Sequence, residues 1–277
     1  MSAPTEAPRA TAVAVAPNGA RRTKADHPAL PLSPGELARE AAACLERGAC
    51  MLHLHVRNAD GRHLLDPDAY RDAIRAIRAE VGERLVLQIT TEAVGIYRPE
   101  QQVDVVRAVR PEAASIALRE LAPEPSDDDL LCDLLGWMSR ERIAAQLILY
   151  DPADVARLVA MRDSARLPEG GWSALYVLGR YSSGQTARPD ELLPFLQAGS
   201  GQDDWMVCAF GPQEAASVCA AALLGGDVRV GFENNLWRPD GGLASSNADL
   251  VEAAAKPLVA LGHRLAGADE LRARWHR

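Results

Sequence analysis

The feature that most constrains this chain is a strand-like segment followed by a helix-like one, repeated eight times. Thr11–Pro17, Met51–Arg57, Leu85–Thr91, Ala113–Leu118, Ile143–Tyr150, Ala174–Leu178, Trp205–Phe210 and Asp227–Phe232 are short and rich in apolar or β-favouring residues. Strands read this way when both faces are covered, as in a parallel sheet. Between them lie helix-start signals. Ser33-Pro34 with Glu36 is a capping box with Pro at the first helical position, opening a helix that Gly48 closes. Asp66-Pro67 opens a helix to Val81-Gly82, Arg98-Pro99 one ending near Arg110, Ser126 one to about Arg140, and Asp151-Pro152 one to about Ala165. Helices over Arg188–Ala198, from Gly211-Pro212 to Leu224 and from Ser245 to Leu261 complete the series. Eight such units close a ring, so the expected fold is α/β, a (β/α)8 TIM barrel, which needs about 250 residues. The span from Thr11 to Gly262 supplies them. An open doubly wound sheet usually carries fewer strands and a glycine-rich first turn, and Asn18-Gly19-Ala20 is not one. One catalytic domain over 11–277 is expected, after a frayed tail over 1–10 that lacks the apolar segment of a signal peptide.

Composition narrows the class. No apolar run approaches the roughly 20 residues of a membrane span, so a soluble protein without a membrane partner is expected. A net charge of −8 argues against a nucleic-acid partner, because phosphate binding needs a basic field. Five cysteines without a C-x-x-C pair read as thiols of a reducing cytoplasm.

In a barrel of this kind the active site lies at the C-terminal ends of the strands. The second strand, M-L-H-L-H-V-R, is therefore the first place to look. Residues two apart on a strand share a face, so His53 and His55 stand side by side. Two imidazoles buried together without a partner are costly, and the pair supplies two of the three protein ligands that a catalytic zinc takes. Glu233, just past the eighth strand, is separated from that pair by the first strand alone and completes a His2Glu set. Arg229, four residues earlier, points the same way and needs an anion, either Glu233 or a bound carboxylate. Further strand-end candidates are Gln88, Thr90 and Glu92 on the third strand, Ser115 and Arg119 on the fourth, Tyr150 and Asp151 on the fifth, and Arg180 on the sixth. Arg21 is expected at the same mouth.

With these residues in view, the chain resembles the β-keto acid cleavage enzyme family, of the 3-keto-5-aminohexanoate cleavage type. The resemblance spans nearly the whole sequence. It rests on A-P-N-G-A at 16–20, H-P-A-L-P-L-S-P-G-E at 27–36, G-A-x-x-x-H-L-H-V-R at 48–57, D-G-R at 60–62, V-R-V-G-F-E-N-N at 228–235 and A-S-S-N-A-D-L-V at 244–251. It implies a zinc-dependent barrel enzyme, with zinc or a similar divalent transition metal on His53, His55 and Glu233. The implied reaction condenses a β-keto acid with acetyl-CoA to give acetoacetate and a new acyl-CoA. Arg229 takes the place of the family's catalytic arginine, and Asn18, Arg21, Ser115 and Arg119 fall at substrate-binding positions. A homotetramer is implied as well.

The departures from that pattern carry information. Asn234 stands where the family has an aspartate base, and an amide cannot accept that proton as a carboxylate does. Glu92, where the family is usually glycine, is the candidate for the relocated base. Thr90 replaces a serine, Arg21 a glutamate that holds an ammonium group, Ala117 and Arg119 an asparagine and a glycine, and Ile148 a pocket carboxylate. An amino-β-keto acid is therefore not the expected substrate. The alternatives are a zinc enzyme of the same barrel with other carbon–carbon lyase or hydrolase chemistry, and a non-catalytic homologue that binds metal and a small acid.

Overall fold

The short runs of β-favouring residues do form strands. The computed structural model describes residues 9–199 and 204–275. Its strands are β1 (Val13–Val15), β2 (Met51–Leu54), β3 (Val56–Arg57), β4 (His63–Leu64), β5 (Val86–Thr90), β6 (Ala113–Ala117), β7 (Ala144–Leu149), β8 (Trp172–Leu178), β9 (Trp205–Ala209) and β10 (Asp227–Val230). Eight of them close a parallel barrel in the order β1-β10-β9-β8-β7-β6-β5-β2. This is the (β/α)8 fold, and β3 and β4 make a separate antiparallel pair.

The helices are α1 (Pro34–Glu46), α2 (Pro67–Val81), α3 (Pro99–Val109), α4 (Leu118–Leu121), α5 (Asp128–Arg140), α6 (Pro152–Asp163), α7 (Leu192–Ala198), α8 (Glu214–Leu223), α9 (Asn247–Ala260) and α10 (Ala268–Trp275). Four of the expected N-termini are built from the residues that announced them. Ser33 and Glu36 form the capping box of α1, Asp66 and Asp151 cap α2 and α6, and Pro99 opens α3. None of the described helices is long and apolar enough to cross a membrane. The five cysteines are free.

Strand alternation divides the apolar residues into two cores. Residues such as Leu52, Leu54, Leu87, Ile89, Leu147 and Val228 face outward and pack against the helices. Those between them, Met51, Val86, Ala113, Leu175 and Met206 among them, fill the barrel. The interior is therefore packed with apolar side chains towards its lower end.

Three local features differ from the sequence reading. The expected strand Met51–Arg57 breaks at His55, and Val56–Arg57 leaves the barrel to pair with His63–Leu64. The cause is a tight turn in which Asn58 Oδ1 accepts from the N–H groups of Asp60 and Arg62, and Gly61 takes φ +76°. The expected fourth strand stops at Ala117, and Leu118 starts α4. Beyond the last expected helix, α10 covers the lower end of the barrel through Leu271 and Trp275, with Ala10 in the same apolar cluster. The tail expected over 1–10 lies, up to residue 8, outside the described residues, whereas Arg9 and Ala10 belong to the fold.

The lower end is also held electrostatically. Asp227 is buried, pairs with Arg274 at 3.0 Å and with Arg9 at 2.8 Å, and accepts the Ala12 N–H at 2.7 Å. Burial pushes its carboxyl up, against the pull of both guanidiniums. Removing one partner of a buried pair leaves a charge uncompensated. Arg274→Met is expected to destabilise the protein by about 3 kcal/mol in urea unfolding; a loss under about 0.5 kcal/mol would show that Arg9 alone satisfies Asp227.

Candidate metal centre and adjoining cavity

His53 on β2 and His55, directly after its end, stand at the barrel's upper rim, where both are almost wholly buried. Each ring has a hydrogen-bond partner on its Nδ1 side. His53 Nδ1 lies 2.7 Å from Gln88 Oε1, an atom that only accepts, so His53 carries its proton there and leaves Nε2 bare. The register makes this possible, since His53 is the Cα partner of Gln88 across β2 and β5. The network continues inward: Gln88 Nε2 donates to Gln146 Oε1 at 3.3 Å, and Gln146 Nε2 reaches Ser173 Oγ at 3.5 Å.

A second relay fixes His55. His63 Nε2 donates to the carbonyl oxygen of Glu92 at 2.8 Å. In neutral His63 the other nitrogen then accepts, and it lies 3.4 Å from His55 Nδ1. His55 therefore donates outward and, like His53, turns a bare Nε2 inward. Burial pushes both His53 and His63 down to about 3, which keeps these two rings neutral.

The two inner nitrogens are 3.1 Å apart, and Glu233 Oε2 lies 3.5 Å from that of His53 and 3.3 Å from that of His55. The three ligand atoms all lie within 4.8 Å of one another. Glu233 Oε2 has no hydrogen-bond partner among the described residues. Three lone-pair donors directed at one point repel each other unless a cation lies between them, so the donor set fits a divalent metal. Burial pushes the Glu233 carboxyl up, but Arg229 and the two imidazoles outweigh it and hold it well below the usual carboxylate range.

Glu233 does not reach the site along a continuous strand. β10 ends at Val230, and Gly231 at φ +136° turns the chain back over Ala16, where an added Cβ would lie 2.4 Å from the Ala16 oxygen. The backbone of the turn is then clamped by side chains. Glu214 Oε1 accepts the Gly231 N–H at 3.1 Å, Asn247 Oδ1 accepts the Phe232 N–H at 2.7 Å, and Arg22 donates to the Phe232 oxygen. Gly19, at φ +60°, passes so close that a Cβ there would lie 2.6 Å from Glu233 Cγ. Arg57 holds the same loop by donating to the carbonyls of Asn18, Gly19 and Arg22.

Arg229 is almost wholly buried; its Nη2 bonds Glu233 Oε1 at 3.2 Å and Cys208 Sγ at 3.3 Å. Its Nε and Nη1 have no partner among the described residues. Arg229 and Glu233 both line a cavity at the barrel mouth. Arg21, Arg22, Glu92, Glu120, Tyr150 and Arg180 supply its other polar groups, and Ile148, Val177 and Phe210 an apolar wall. Glu92 lies past the end of β5, with Oε1 3.9 Å from Arg21 Nη2 and Oε2 3.9 Å from His55 Nδ1.

Other residues expected at the site are placed elsewhere or are taken up. Arg119 does not line the cavity: on α4, it pairs with Asp151 and Asp154 and lies over the Tyr150 ring. Asn18 lines the cavity, but its amide is taken up by the Pro31 oxygen and both backbone groups of His55. Thr90 Oγ1 accepts the Glu92 N–H, which positions the loop that carries Glu92. Ser115 is buried in the barrel two residues before the cavity residue Ala117, and Asn234 is buried without lining the cavity. His63, Arg22 and Glu120 escaped the sequence reading. The signal for His63 was a third histidine directly after the Asn58–Gly61 turn.

The family model described as beta-keto acid cleavage enzyme matches residues 10–276. The chain is 28% identical over 261 residues to the 3-keto-5-aminohexanoate cleavage enzyme of Fusobacterium nucleatum, covering 92% of this chain and 93% of that one. It is 26% identical over 269 residues to the 3-oxoadipate:acetyl-CoA acetyltransferase of Cupriavidus necator, covering 94% and 93%. Among solved structures, a ternary complex of ObcA with a C4-CoA adduct and oxalate shares the fold, with a TM-score of 0.73 and 17% identity over 90% of this chain and 68% of the other.

The His63 relay carries a direct expectation. Without it, His55 has no fixed tautomer, and loss of such an outer partner weakens metal binding about 10–100-fold. His63→Ala is expected to show that loss in a chelator-competition titration with zinc, with its thermal midpoint little changed. Unaltered affinity would remove His63 from control of the ligand.

Proposed function

Because the chain belongs to the β-keto acid cleavage enzyme family, we propose that it is a zinc-dependent member that exchanges acyl groups between a β-keto acid and acetyl-CoA. In the balanced reaction, the bond between C2 and C3 of the keto acid breaks. Its CH2–COO− unit is joined to the acetyl carbonyl as acetoacetate, and the remaining acyl group leaves on CoA sulfur. The observation that carries this reading is the set of three bare ligand atoms, His53 Nε2, His55 Nε2 and Glu233 Oε2, placed beside the cavity that Arg229 also lines. A divalent ion held there supplies Lewis-acid polarisation of the keto acid's oxygens.

The chain's own groups supply the rest. Arg229 directs Nε and Nη1 at oxygens on which negative charge develops, and its buried position strengthens that interaction. Glu92, on the cavity wall, takes the proton from the carbon between the two carbonyls, the work that Asn234 cannot do. Ile148, Val177 and Phe210 exclude water from one side. The cavity is lined by four guanidiniums, those of Arg21, Arg22, Arg180 and Arg229, against three carboxylates, those of Glu92, Glu120 and Glu233, so its charge disfavours a substrate ammonium. This supports a substrate other than an amino-β-keto acid.

The zinc-loaded protein, incubated with acetyl-CoA and a panel of β-keto acids, is expected to form acetoacetate and a new CoA ester visible by mass spectrometry. Release of a free acid without consumption of acetyl-CoA would overturn the exchange reaction in favour of a lyase or hydrolase. Glu92→Gln is expected to slow deuterium uptake at C2 of the keto acid in heavy water by about 100-fold or more, with zinc content unchanged. Exchange at the wild-type rate would assign the base elsewhere.

A further inference from the structure

The cavity's charged groups do not cancel. Four guanidiniums line it against three carboxylates: Arg229 pairs with Glu233, Arg21 faces Glu92, and Glu120 accepts a backbone N–H and an amide through Oε2. Arg22 donates to backbone carbonyls of the β10 turn. That leaves Arg180, whose guanidinium lies over the Phe210 ring at 5.2 Å and makes no hydrogen bond or ion pair among the described residues. It also stands within electrostatic reach of Arg22, two like charges bordering one cavity.

Its place in the ring says what should meet it. Arg180 follows β8, and in the barrel order β8 is four strands from β2 in either direction, so it lies opposite the histidine pair. The wall on Arg180's side is apolar: Ile148 comes from β7, Val177 from β8 and Phe210 from the end of β9. A ligand that reaches from the metal centre to Arg180 must cross that wall with an apolar segment and end in an anion. We propose that Arg180 is the ligand of a distal carboxylate, and that the substrate is a straight-chain β-keto dicarboxylic acid. The keto acid end lies at Glu233 and Arg229, the methylenes lie on the apolar wall, and the second carboxylate receives the guanidinium in a forked hydrogen bond. This rests on the reading of the cavity as a β-keto acid site.

Two C6 acids that differ only at the far end test it: 3-oxohexanedioate, with a terminal carboxylate, and 3-oxohexanoate, with a methyl group. The ratio of kcat/KM for the diacid over the monoacid is expected to favour the diacid in the wild type and to fall about 10–100-fold in Arg180→Met. An unchanged ratio would overturn the proposal. So would an effect confined to the KM of acetyl-CoA, because Arg180 would then hold a CoA phosphate. Failure of the wild type to turn over either acid would count against the exchange reaction rather than the carboxylate site. Calorimetric binding of hexanedioate, which has no keto group to react, decides the site independently: weaker binding to Arg180→Met is expected, and equal binding to both proteins would overturn it.

Discussion

Two imidazoles buried side by side keep their inner nitrogens bare only if their outer N–H groups have acceptors, and much of the upper barrel follows from that requirement. For His53 the acceptor is Gln88, brought opposite by the β2–β5 register, and Gln88 is itself oriented by Gln146 on β7. For His55 it is His63, which only the β3–β4 hairpin can bring back, and which in turn needs the Glu92 carbonyl. A flipped amide at Gln88 would present an N–H to His53 and reverse its tautomer. One set of three candidate ligand atoms thus constrains side chains on several strands.

The carboxylate of the set, Glu233, is held differently, because it sits on a turn rather than a strand. Glu214, Asn247 and Arg22 bind backbone groups of residues 231–234, and Gly19 leaves room for the Glu233 side chain. Glu214 is fully buried and burial pushes its carboxyl up to about 8, even though Asn235 and the Gly231 N–H both donate to it. The conspicuous polar residues around the ligands are therefore often anchors. Asn18, Asn235 and Asn247 hold backbone, and the chemistry falls to fewer groups than the motifs contain.

The barrel was legible because strand runs and helix starts agreed along the chain: Ser33-Pro34, Asp66-Pro67, Arg98-Pro99 and Asp151-Pro152 all mark real helix entries. The convergence of His53, His55 and Glu233 was legible from alternation and from the closure that brings the end of β10 near β2. What periodicity missed was non-local or short. A two-residue strand such as His63–Leu64 has no period to read, and α10 follows a Gly-rich link without a helix cap. Arg119 was expected at the mouth from its position after the fourth strand, but α4 turns the chain there, and Asp151 and Asp154 capture the guanidinium.

Arg229 connects the candidate ligand set to the cavity. β10 fixes its base, since its Cα pairs with Ala14 on one side and Cys208 on the other. Its Nη2 reaches Glu233 Oε1, so the carboxylate is divided, one oxygen to the cation and the other to the histidine pair. Burial disfavours the guanidinium's charge, yet Cys208 and Glu233 outweigh it and keep the group protonated. The unmatched N–H groups at Nε and Nη1 cost about 1–3 kcal/mol each when buried. In the reaction proposed above, that cost falls away when a substrate oxygen approaches and falls furthest when that oxygen carries developing charge. The same buried cation that is unfavourable to the fold is, on that proposal, oriented in advance for an anion, with no reorganisation left to oppose its formation.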